Sequence, residues 1–169
     1  MQVVYGVVGL KTHAKMLLIT RRDKRTGQLQ RYGHLSTGNY NARSARLYTD
    51  LSHLTCDAAI TEDMDAVFRH LSSHNRLPTL QQLVMAPFHL HSHMLERIGQ
   101  AASAAAKGKD ARIVLKMNAL TDEVLIAALI DAGALGVQID LIVRGALMLP
   151  AQVPGRTENS RVRSVIGRF

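Results

Sequence analysis

The sequence predicts an α/β protein in which a parallel or mixed sheet is covered by helices on its faces. In the second half of the chain, apolar runs of strand length alternate with segments whose apolar residues recur at helical spacing. Those strand candidates are almost continuously apolar, as buried parallel strands are. A chain of 169 residues with 47% hydrophobic content is long enough to bury a core. We expect two partial subdomains, residues 1–78 and 79–169.

The first subdomain is predicted to begin with strands and a hairpin. Residues 3–8 (VVYGVV) and 14–20 (AKMLLIT) are β-branched or apolar runs of strand length. A turn at residues 24–28 (KRTGQ) leads to a further strand, residues 29–37 (LQRYGHLST). Residues 37–50 are rich in Gly, Asn, Ser and Thr, which predicts a loop over a site.

A helix and a linker complete the first subdomain. Thr61 is the predicted N-cap, because the acidic residues after it suit the positive end of a helix. The apolar residues of this helix fall at helical spacing, at Met64, Val67, Phe68 and Leu71. Residues 72–82 are predicted to form the linker.

The second subdomain is predicted to alternate strands and helices. Its elements are a strand at 83–88, a helix from about 90 to 107 ended by Gly108, a strand at 111–118, a helix at 121–136, and strands at 137–145 and 161–169. In such sheets, ligands bind at the carboxyl ends of strands, where Lys116, Asn118 and Arg144 lie. The last strand candidate reaches the final residue without a cap or polar tail, from which we expect a fragment of a longer protein.

The composition indicates a polyanionic partner. The chain has 21 Lys and Arg against 13 Asp and Glu, a net charge of +8. The single cysteine, Cys56, excludes an internal disulfide and any multi-cysteine metal site, and it suits a reducing compartment. No membrane-spanning run or signal peptide is present in the sequence. We expect a cytoplasmic protein, or one peripheral at the inner membrane.

The triplet His13-Ala14-Lys15 is the first candidate for chemistry. Alternate residues of a strand face the same side, so we expect His13 and Lys15 to point at one ligand while Ala14 turns into the fold. A neutral imidazole is a competent nucleophile toward phosphorus, and neighbouring cations favour the neutral ring while they offset phosphate charge. By itself the triplet is also compatible with an exposed surface histidine.

The stretch RYGHLSTGNYNARSARLYTD adds donors, cations and a carboxylate to the candidate site. We select from it His34, Arg46, Tyr48 and Asp50 as active-site or phosphate-binding residues. Arg144, at the end of DLIVRG, is a further candidate because a guanidinium binds phosphate bidentately. A solvated basic loop remains the simpler alternative for this segment.

Several long motifs resemble one family. GLKTHAKM, RYGHLSTGNYNARSARLYTDL, LVMAPF, VLKMNALTD, DLIVRGALML and ENSRVRSVIGRF are similar, in order and spacing, to the carboxyl-terminal catalytic half of the long bacterial polyphosphate kinases. The resemblance runs from end to end and implies a phospholipase-D-like fold. It also implies reversible transfer of the terminal phosphate of ATP to polyphosphate through a phosphohistidine, with Mg²⁺, and a homo-oligomeric full-length protein.

The resemblance assigns roles to individual residues. His13 matches the phosphorylated histidine, with Lys15 beside it, and His34 matches a further active-site histidine. Tyr48 and Arg144 match residues that contact the nucleotide phosphates. For Arg46 and Asp50 we expect substrate binding, and the chemistry of a carboxylate allows Asp50 to orient an imidazole.

The chain departs from the family pattern in three places. The second catalytic histidine of the family follows a segment like the one that ends here at Phe169, and the magnesium-binding arginines would precede Met1. We therefore predict no metal ligand within the chain. The phospholipase-D pattern places an aspartate where this chain has Thr20, but the kinase family itself commonly lacks that aspartate, so the resemblance in fold stands. From the missing histidine and arginines we expect the isolated fragment to be inactive.

Other functions compete with this one. A non-catalytic basic module that binds polyanions or nucleic acid is the main alternative, although clustered aromatics and a recognition helix are not found in the sequence. A phospholipase-D-like phosphodiesterase would need a second H-x-K triplet. A metal site at His89 and His93 would need a third ligand at suitable spacing.

Overall fold

The computed structural model describes residues 3–73 and 78–165. They form two compact units, of which the first ends at Val84 and the second begins at Met85. The predicted boundary between residues 78 and 79 falls ahead of this division. None of the described helices is long and apolar enough to cross a membrane.

The sheet of the first unit has three antiparallel strands, β1 (Lys15–Arg22), β2 (Leu29–Ser36) and β3 (Ser52–Thr55), in that order. β1 and β2 form the predicted hairpin. The Asp23 carboxylate holds the turn, because it accepts hydrogen bonds from the backbone N–H groups of Arg25 and Thr26 at 2.9 and 2.8 Å. The short strand β3 was not predicted from the sequence.

Two helices accompany this sheet, α1 (Ala42–Leu47) and α2 (Ala58–Ser73). α1 lies inside the segment predicted to be a loop, so that prediction is wrong for these six residues. The structure shows the reason, because Asn41 caps the helix by accepting a hydrogen bond from the Ser44 N–H at 3.0 Å.

α2 begins before the predicted N-cap. Asp57 takes the capping role, since its carboxylate accepts a hydrogen bond from the Ile60 N–H at 3.0 Å. Thr61 lies inside the helix and donates its hydroxyl to the Asp57 carbonyl at 2.8 Å. The prediction of Thr61 as N-cap is therefore wrong. Met64 and Val67 are buried, as their helical spacing predicted.

α2 approaches the sheet most closely at Gly33 of β2. A Cβ at this position would lie 2.5 Å from Met64 Sδ and 3.4 Å from Thr61 Cγ2. The thioether of Met64 is fully buried and has little room to withdraw. The absent side chain at position 33 is therefore what lets the helix pack on the strand.

Asp63 of α2 fixes the segment that follows the helix. Its side chain is buried, and its carboxylate accepts hydrogen bonds of 2.6 to 2.9 Å from the backbone N–H groups of Gln81, Gln82 and Leu83. Burial opposes ionisation of this carboxyl, but the three N–H donors outweigh it and hold the pKa of Asp63 below its ordinary value. The backbone N–H groups of residues 81–83 are thus bonded to an ionised carboxylate and not to a neighbouring strand.

Two predicted strands are not formed. Residues 3–8 lie outside the sheet, with Tyr5 fully exposed and Gly6 at a φ of +93°. Residues 83–88 also form no strand, because the Leu83 N–H is bonded to Asp63 and Pro87 has no N–H to give to a ladder. Both runs are apolar, but strand formation also requires a neighbouring strand to pair with.

The sheet of the second unit is parallel, with strands β4 (Arg112–Met117), β5 (Gln138–Val143) and β6 (Ser160–Arg163) in that order. The helix α3 (Leu90–Ala106) precedes β4, and α4 (Glu123–Ala134) joins β4 to β5. The predicted alternation of strands and helices is confirmed here. Of the predicted strand at 161–169, residues 166–169 lie outside the described residues.

The core of the second unit lies between its helices and one face of this sheet. Leu129 of α4 and Leu141 of β5 are fully buried, and Ile98 of α3 packs in the same cluster. Asp122 caps α4 by accepting a hydrogen bond from the Leu125 N–H at 2.9 Å. On the opposite face of β4, Val114 is 54% exposed. One side of the sheet therefore remains open to solvent there.

Candidate active site

His13 and Lys15 lie in contact at the start of β1. The Lys15 Nζ is 2.9 Å from His13 Nδ1 and 3.3 Å from Nε2. An ammonium group only donates hydrogen bonds, so the ring nitrogen that accepts must carry a lone pair, which a doubly protonated imidazole lacks. The contact therefore sets a cation directly beside an imidazole, whose neutral form is the one that acts as a nucleophile.

The expected orientation of Ala14 is wrong. The side chain of Ala14 is exposed rather than turned into the fold. The ladder between β1 and β2 begins only at Lys15, which pairs with Ser36, so strand alternation does not govern the two residues before it. His13 and Lys15 nevertheless lie together, because their side chains are in direct contact.

His34 lies on β2, on the same face of the sheet as Lys15. Lys15 pairs with Ser36, and residues two apart on a strand share a face. Diagonal positions of this kind lie about 7–8 Å apart in an antiparallel pair. The structure thus brings His34 to the side of the sheet that carries the His13–Lys15 pair.

Tyr40 is a member of this site that the sequence did not single out. Its hydroxyl lies 2.9 Å from His34 Nδ1, and the two rings are 5.5 Å apart between centroids. This contact orients the imidazole of His34. Six residues separate the two positions, which matches neither strand nor helix spacing, so no periodic signal could have found it.

A polar clasp closes the loop between β2 and β3. The Thr37 N–H donates to the Leu51 carbonyl at 3.0 Å, and the Thr37 hydroxyl accepts from the Leu51 N–H at 3.0 Å. The same hydroxyl donates to Asp50 Oδ1 at 3.0 Å. A Cβ at Gly38 would collide with the Asp50 carboxylate, so glycine is needed for this close approach.

The clasp gives Asp50 a partner in Thr37. The predicted role of Asp50 in orienting an imidazole, or in binding substrate, stays a prediction.

Arg46 lies in the last turn of α1, and Tyr48 is the residue at its C-terminal cap, with 46% of Tyr48 exposed. The structure therefore places both phosphate-binding candidates of this segment on or beside one short helix.

Arg144 lies in the second unit, directly after β5. Its N–H donates to the Met117 carbonyl at 3.1 Å, and the Gly145 N–H donates to the Asn118 carbonyl at 2.8 Å. A Cβ at Gly145 would lie 3.1 Å from that carbonyl oxygen, so the two strand ends approach closely here. Arg144 and Asn118 thus meet at the carboxyl ends of neighbouring parallel strands, as predicted.

The chain matches two family models. Residues 1–77 match the model described as Polyphosphate kinase C-terminal domain 1, and residues 83–169 match Polyphosphate kinase C-terminal domain 2.

Individual relatives agree with these matches. The chain is 54% identical over 168 residues to a polyphosphate kinase of Xylella fastidiosa (strain Temecula1). It is 50% identical over 167 residues to a polyphosphate kinase of Pseudomonas aeruginosa (strain PAO1). Each alignment covers 99% of this chain and 24% of the relative. The chain therefore spans about a quarter of the length of these relatives.

A solved structure has the same fold. The crystal structure of polyphosphate kinase from Porphyromonas gingivalis superposes with a TM-score of 0.80 at 34% sequence identity, over 95% of this chain and 26% of that one. This similarity confirms the predicted phospholipase-D-like α/β class. With family models matched along almost its whole length, the chain belongs to the polyphosphate kinase family and corresponds to its C-terminal domains.

Proposed function

We propose that the full-length protein transfers the γ-phosphate of ATP reversibly to inorganic polyphosphate, through a phosphohistidine at His13. The observation that carries this proposal is the contact of 2.9 Å between Lys15 Nζ and His13 Nδ1. It holds an imidazole beside a cation, which is the pairing that attack on a charged phosphoryl group requires. The relatives are named polyphosphate kinases, which supplies the substrate class.

The proposed first step forms a bond between a His13 nitrogen and the γ-phosphorus. As this bond forms, the bond from that phosphorus to the bridging oxygen breaks, and ADP leaves with the electron pair. Lys15 turns from the imidazole to the phosphoryl oxygens, whose negative charge it offsets. His34, oriented by Tyr40, is proposed to donate to the same group.

In the second step, a terminal oxygen of polyphosphate attacks the phosphorus. A phosphorus–oxygen bond forms, the nitrogen–phosphorus bond breaks, and His13 is released as a neutral imidazole. The chain is longer by one phosphate, and reversal makes ATP from ADP. Tyr48 and Arg144 are proposed to bind the nucleotide phosphates, and Arg46 and Asp50 the phosphate chain.

Mg²⁺ is proposed to enter with ATP and to neutralise its phosphates. Among residues 3–73 and 78–165, no three His, Cys, Asp or Glu side chains are grouped so as to hold a metal ion. The described residues thus provide no such site, and none of the steps above is assigned to the metal. We also propose that these 169 residues alone are inactive, because they span about a quarter of their relatives.

Trapping the phosphoenzyme tests the proposed function. The full-length protein, incubated with ATP labelled at the γ-phosphate, should acquire label that is stable in alkali and lost in acid, as a nitrogen–phosphorus bond is. Added polyphosphate should remove the label from the protein, and the label should then be found in the lengthened polyphosphate. Label that is stable in acid, or none at all while polyphosphate is made, would contradict a phosphohistidine.

Arg144 gives a prediction for nucleotide binding. Replacing Arg144 with lysine keeps the charge but removes the planar fork, and replacing it with alanine removes both. We expect the KM for ATP to rise about tenfold in Arg144→Lys and about a hundredfold in Arg144→Ala. Steady-state kinetics of the full-length protein measure both values. Equal effects of the two substitutions would show that Arg144 acts as a simple charge.

A further inference from the structure

Two serine hydroxyls lie in register with Lys15, on the same face of the antiparallel sheet. Ser36 on β2 is directly opposite Lys15 on β1, and it is also directly opposite Ser52 on β3. Residues paired in this way share a face, and their Cβ atoms lie about 4.5–5.5 Å apart. Lys15, Ser36 and Ser52 therefore form one row across three strands. We call the two serines the hydroxyl pair.

The hydroxyl pair is held together by two contacts. The Gly38 N–H donates to Ser36 Oγ at 3.0 Å, and the Oγ atoms of Ser36 and Ser52 lie 3.3 Å apart. Ser36 is half-buried, whereas Ser52 is exposed. The backbone that follows β2 therefore fixes the position of the Ser36 hydroxyl, and Ser36 in turn fixes that of Ser52.

The hydroxyl pair has one hydrogen more than these contacts use. Each serine hydroxyl carries one hydrogen and can accept two hydrogen bonds. Only one hydrogen can lie between the two Oγ atoms, and the contact with Gly38 uses a backbone hydrogen. Within residues 3–73 and 78–165, neither hydroxyl has a further hydrogen-bond partner. Whichever serine donates to the other, one hydroxyl hydrogen is left to donate to a ligand.

The neighbours of this hydrogen favour an anionic ligand. Lys15 stands in the same row, and its ammonium group can only donate hydrogen bonds. A ligand that contacts both the ammonium group and the hydroxyl hydrogen must therefore be an acceptor. Phosphoryl oxygens are negatively charged acceptors, and hydrogen bonds to charged oxygens are stronger than those between neutral groups.

We propose that the hydroxyl pair donates a hydrogen bond to the γ-phosphoryl group of ATP while that group lies beside His13 and Lys15. This role rests on the proposed function, in which Lys15 must itself reach the same group, so it calls for no separate exposed surface. A donor fixed on two strands defines a direction for the phosphoryl oxygens, whereas a lysine ammonium on its flexible stem acts as a point charge. The proposal also gives β3 a part in the site.

Equilibrium binding of two nucleotides tests this proposal without any transfer reaction. The full-length protein is titrated with ADP and with an ATP analogue whose β,γ-bridging oxygen is replaced by NH, so that it resists cleavage. The variant Ser36→Ala/Ser52→Ala removes both hydroxyls. The matched control, Ser72→Ala/Ser73→Ala, removes two hydroxyls of α2 that donate to carbonyls of their own helix at 2.8 and 2.6 Å. Thermal unfolding of both variants checks that they fold.

We expect the hydroxyl-pair variant to bind the ATP analogue about tenfold more weakly, because a hydrogen bond to a charged group is lost. Its affinity for ADP, which lacks the γ-phosphate, should be unchanged, and the control variant should bind both nucleotides as the wild type does. Equal weakening for ADP and the analogue would overturn the proposal, because the γ-phosphate would then not be the group in contact. Unchanged affinity for the analogue would also overturn it.

A structural role of Ser36 is kept apart from hydrogen-bond donation by the substitution Ser36→Thr. Alanine at this position also removes the acceptor of the Gly38 N–H, which would lower the melting temperature without distinguishing the two nucleotides. Threonine keeps the hydroxyl and is favoured in strands, so the affinity for the analogue should stay at the wild-type value. A lowered melting temperature in the double variant, with unchanged analogue binding, would assign the hydroxyl pair to the fold alone.

The phosphoenzyme measurement distinguishes failure of this proposal from failure of the proposed function. Weakened binding of the analogue alone, in a protein that forms no phosphohistidine, would refute the proposed mechanism and leave the γ-phosphate contact standing. A normal phosphohistidine, with analogue binding indifferent to Ser36 and Ser52, would refute the γ-phosphate contact alone.

Discussion

Replacing His13 with alanine in the full-length protein is expected to abolish phosphoenzyme formation from ATP, with a loss of about 10³-fold or more in the rate of transfer. The reason is that alanine offers no nucleophile, and the contact with Lys15 Nζ disappears with the imidazole. His13 is exposed and lies before β1, so the substitution should leave thermal unfolding unchanged. Labelled ATP and a melting curve measure the two effects.

His53→Ala is the matched control for this substitution. His53 is also an exposed histidine of the first unit, but it pairs with Leu35 on β3, whereas His34 pairs with its neighbour Leu54. Strand alternation therefore points His53 to the opposite face of the sheet. The control should keep its label. Label retained in His13→Ala, or lost equally in both variants, would refute the assignment of the nucleophile.

Replacing Asp63 with alanine is expected to lower the free energy of unfolding by about 3 kcal/mol. The substitution removes the acceptor of three backbone N–H groups, those of Gln81, Gln82 and Leu83, and leaves a cavity at a buried position of α2. Urea unfolding followed by circular dichroism measures this loss. Asp65→Ala, on the same helix, removes only partly exposed ion pairs with Arg31 and Arg69, and it should lower the free energy by less than about 1 kcal/mol.

The effect of Asp63 should depend on pH in a defined direction. The pKa of this carboxyl is lower in the folded chain than its ordinary value, so the stabilisation is present in full above about pH 3.9. It is lost as the pH falls below that value, through the folded pKa. The difference between wild type and Asp63→Ala should therefore shrink in this acidic range. A difference that grows on acidification would contradict the hydrogen-bonding role.

The elements that the sequence predicted well are marked by apolar runs of strand length, by helical spacing of apolar residues, or by a turn or glycine at their ends. The structure confirms the predicted strands β1, β2, β4 and β5 and the predicted helices α3 and α4. Residues 3–8 and 83–88 are apolar as well, but they do not pair as strands. For the second run the cause is the bonding of Leu83 to Asp63, a contact between residues 20 positions apart that no local pattern contains.

The candidate site was predicted in part, for a related reason. The spacing of His13 and Lys15 brought the pair to attention, and their direct contact is observed. The position of Arg144 followed from the parallel order of β4 and β5. Tyr40 and the capping role of Asn41 depend on the path of an irregular segment, which hydrophobic periodicity does not describe. The path of such irregular segments therefore sets the limit of what the sequence could predict.

The clasp between Thr37 and Leu51 closes the base of the loop next to the sheet, so the loop sequence can change without changing the sheet. The ends of the loop are already joined by two hydrogen bonds and by the ladder between β2 and β3. Loop-closure entropy rises slowly with length, by about 0.6 kcal/mol for each doubling. Insertions or exchanges between residues 39 and 49 should thus leave the sheet folded. Changes in this one loop would then supply new phosphate-binding groups, while His34 on β2 keeps its place.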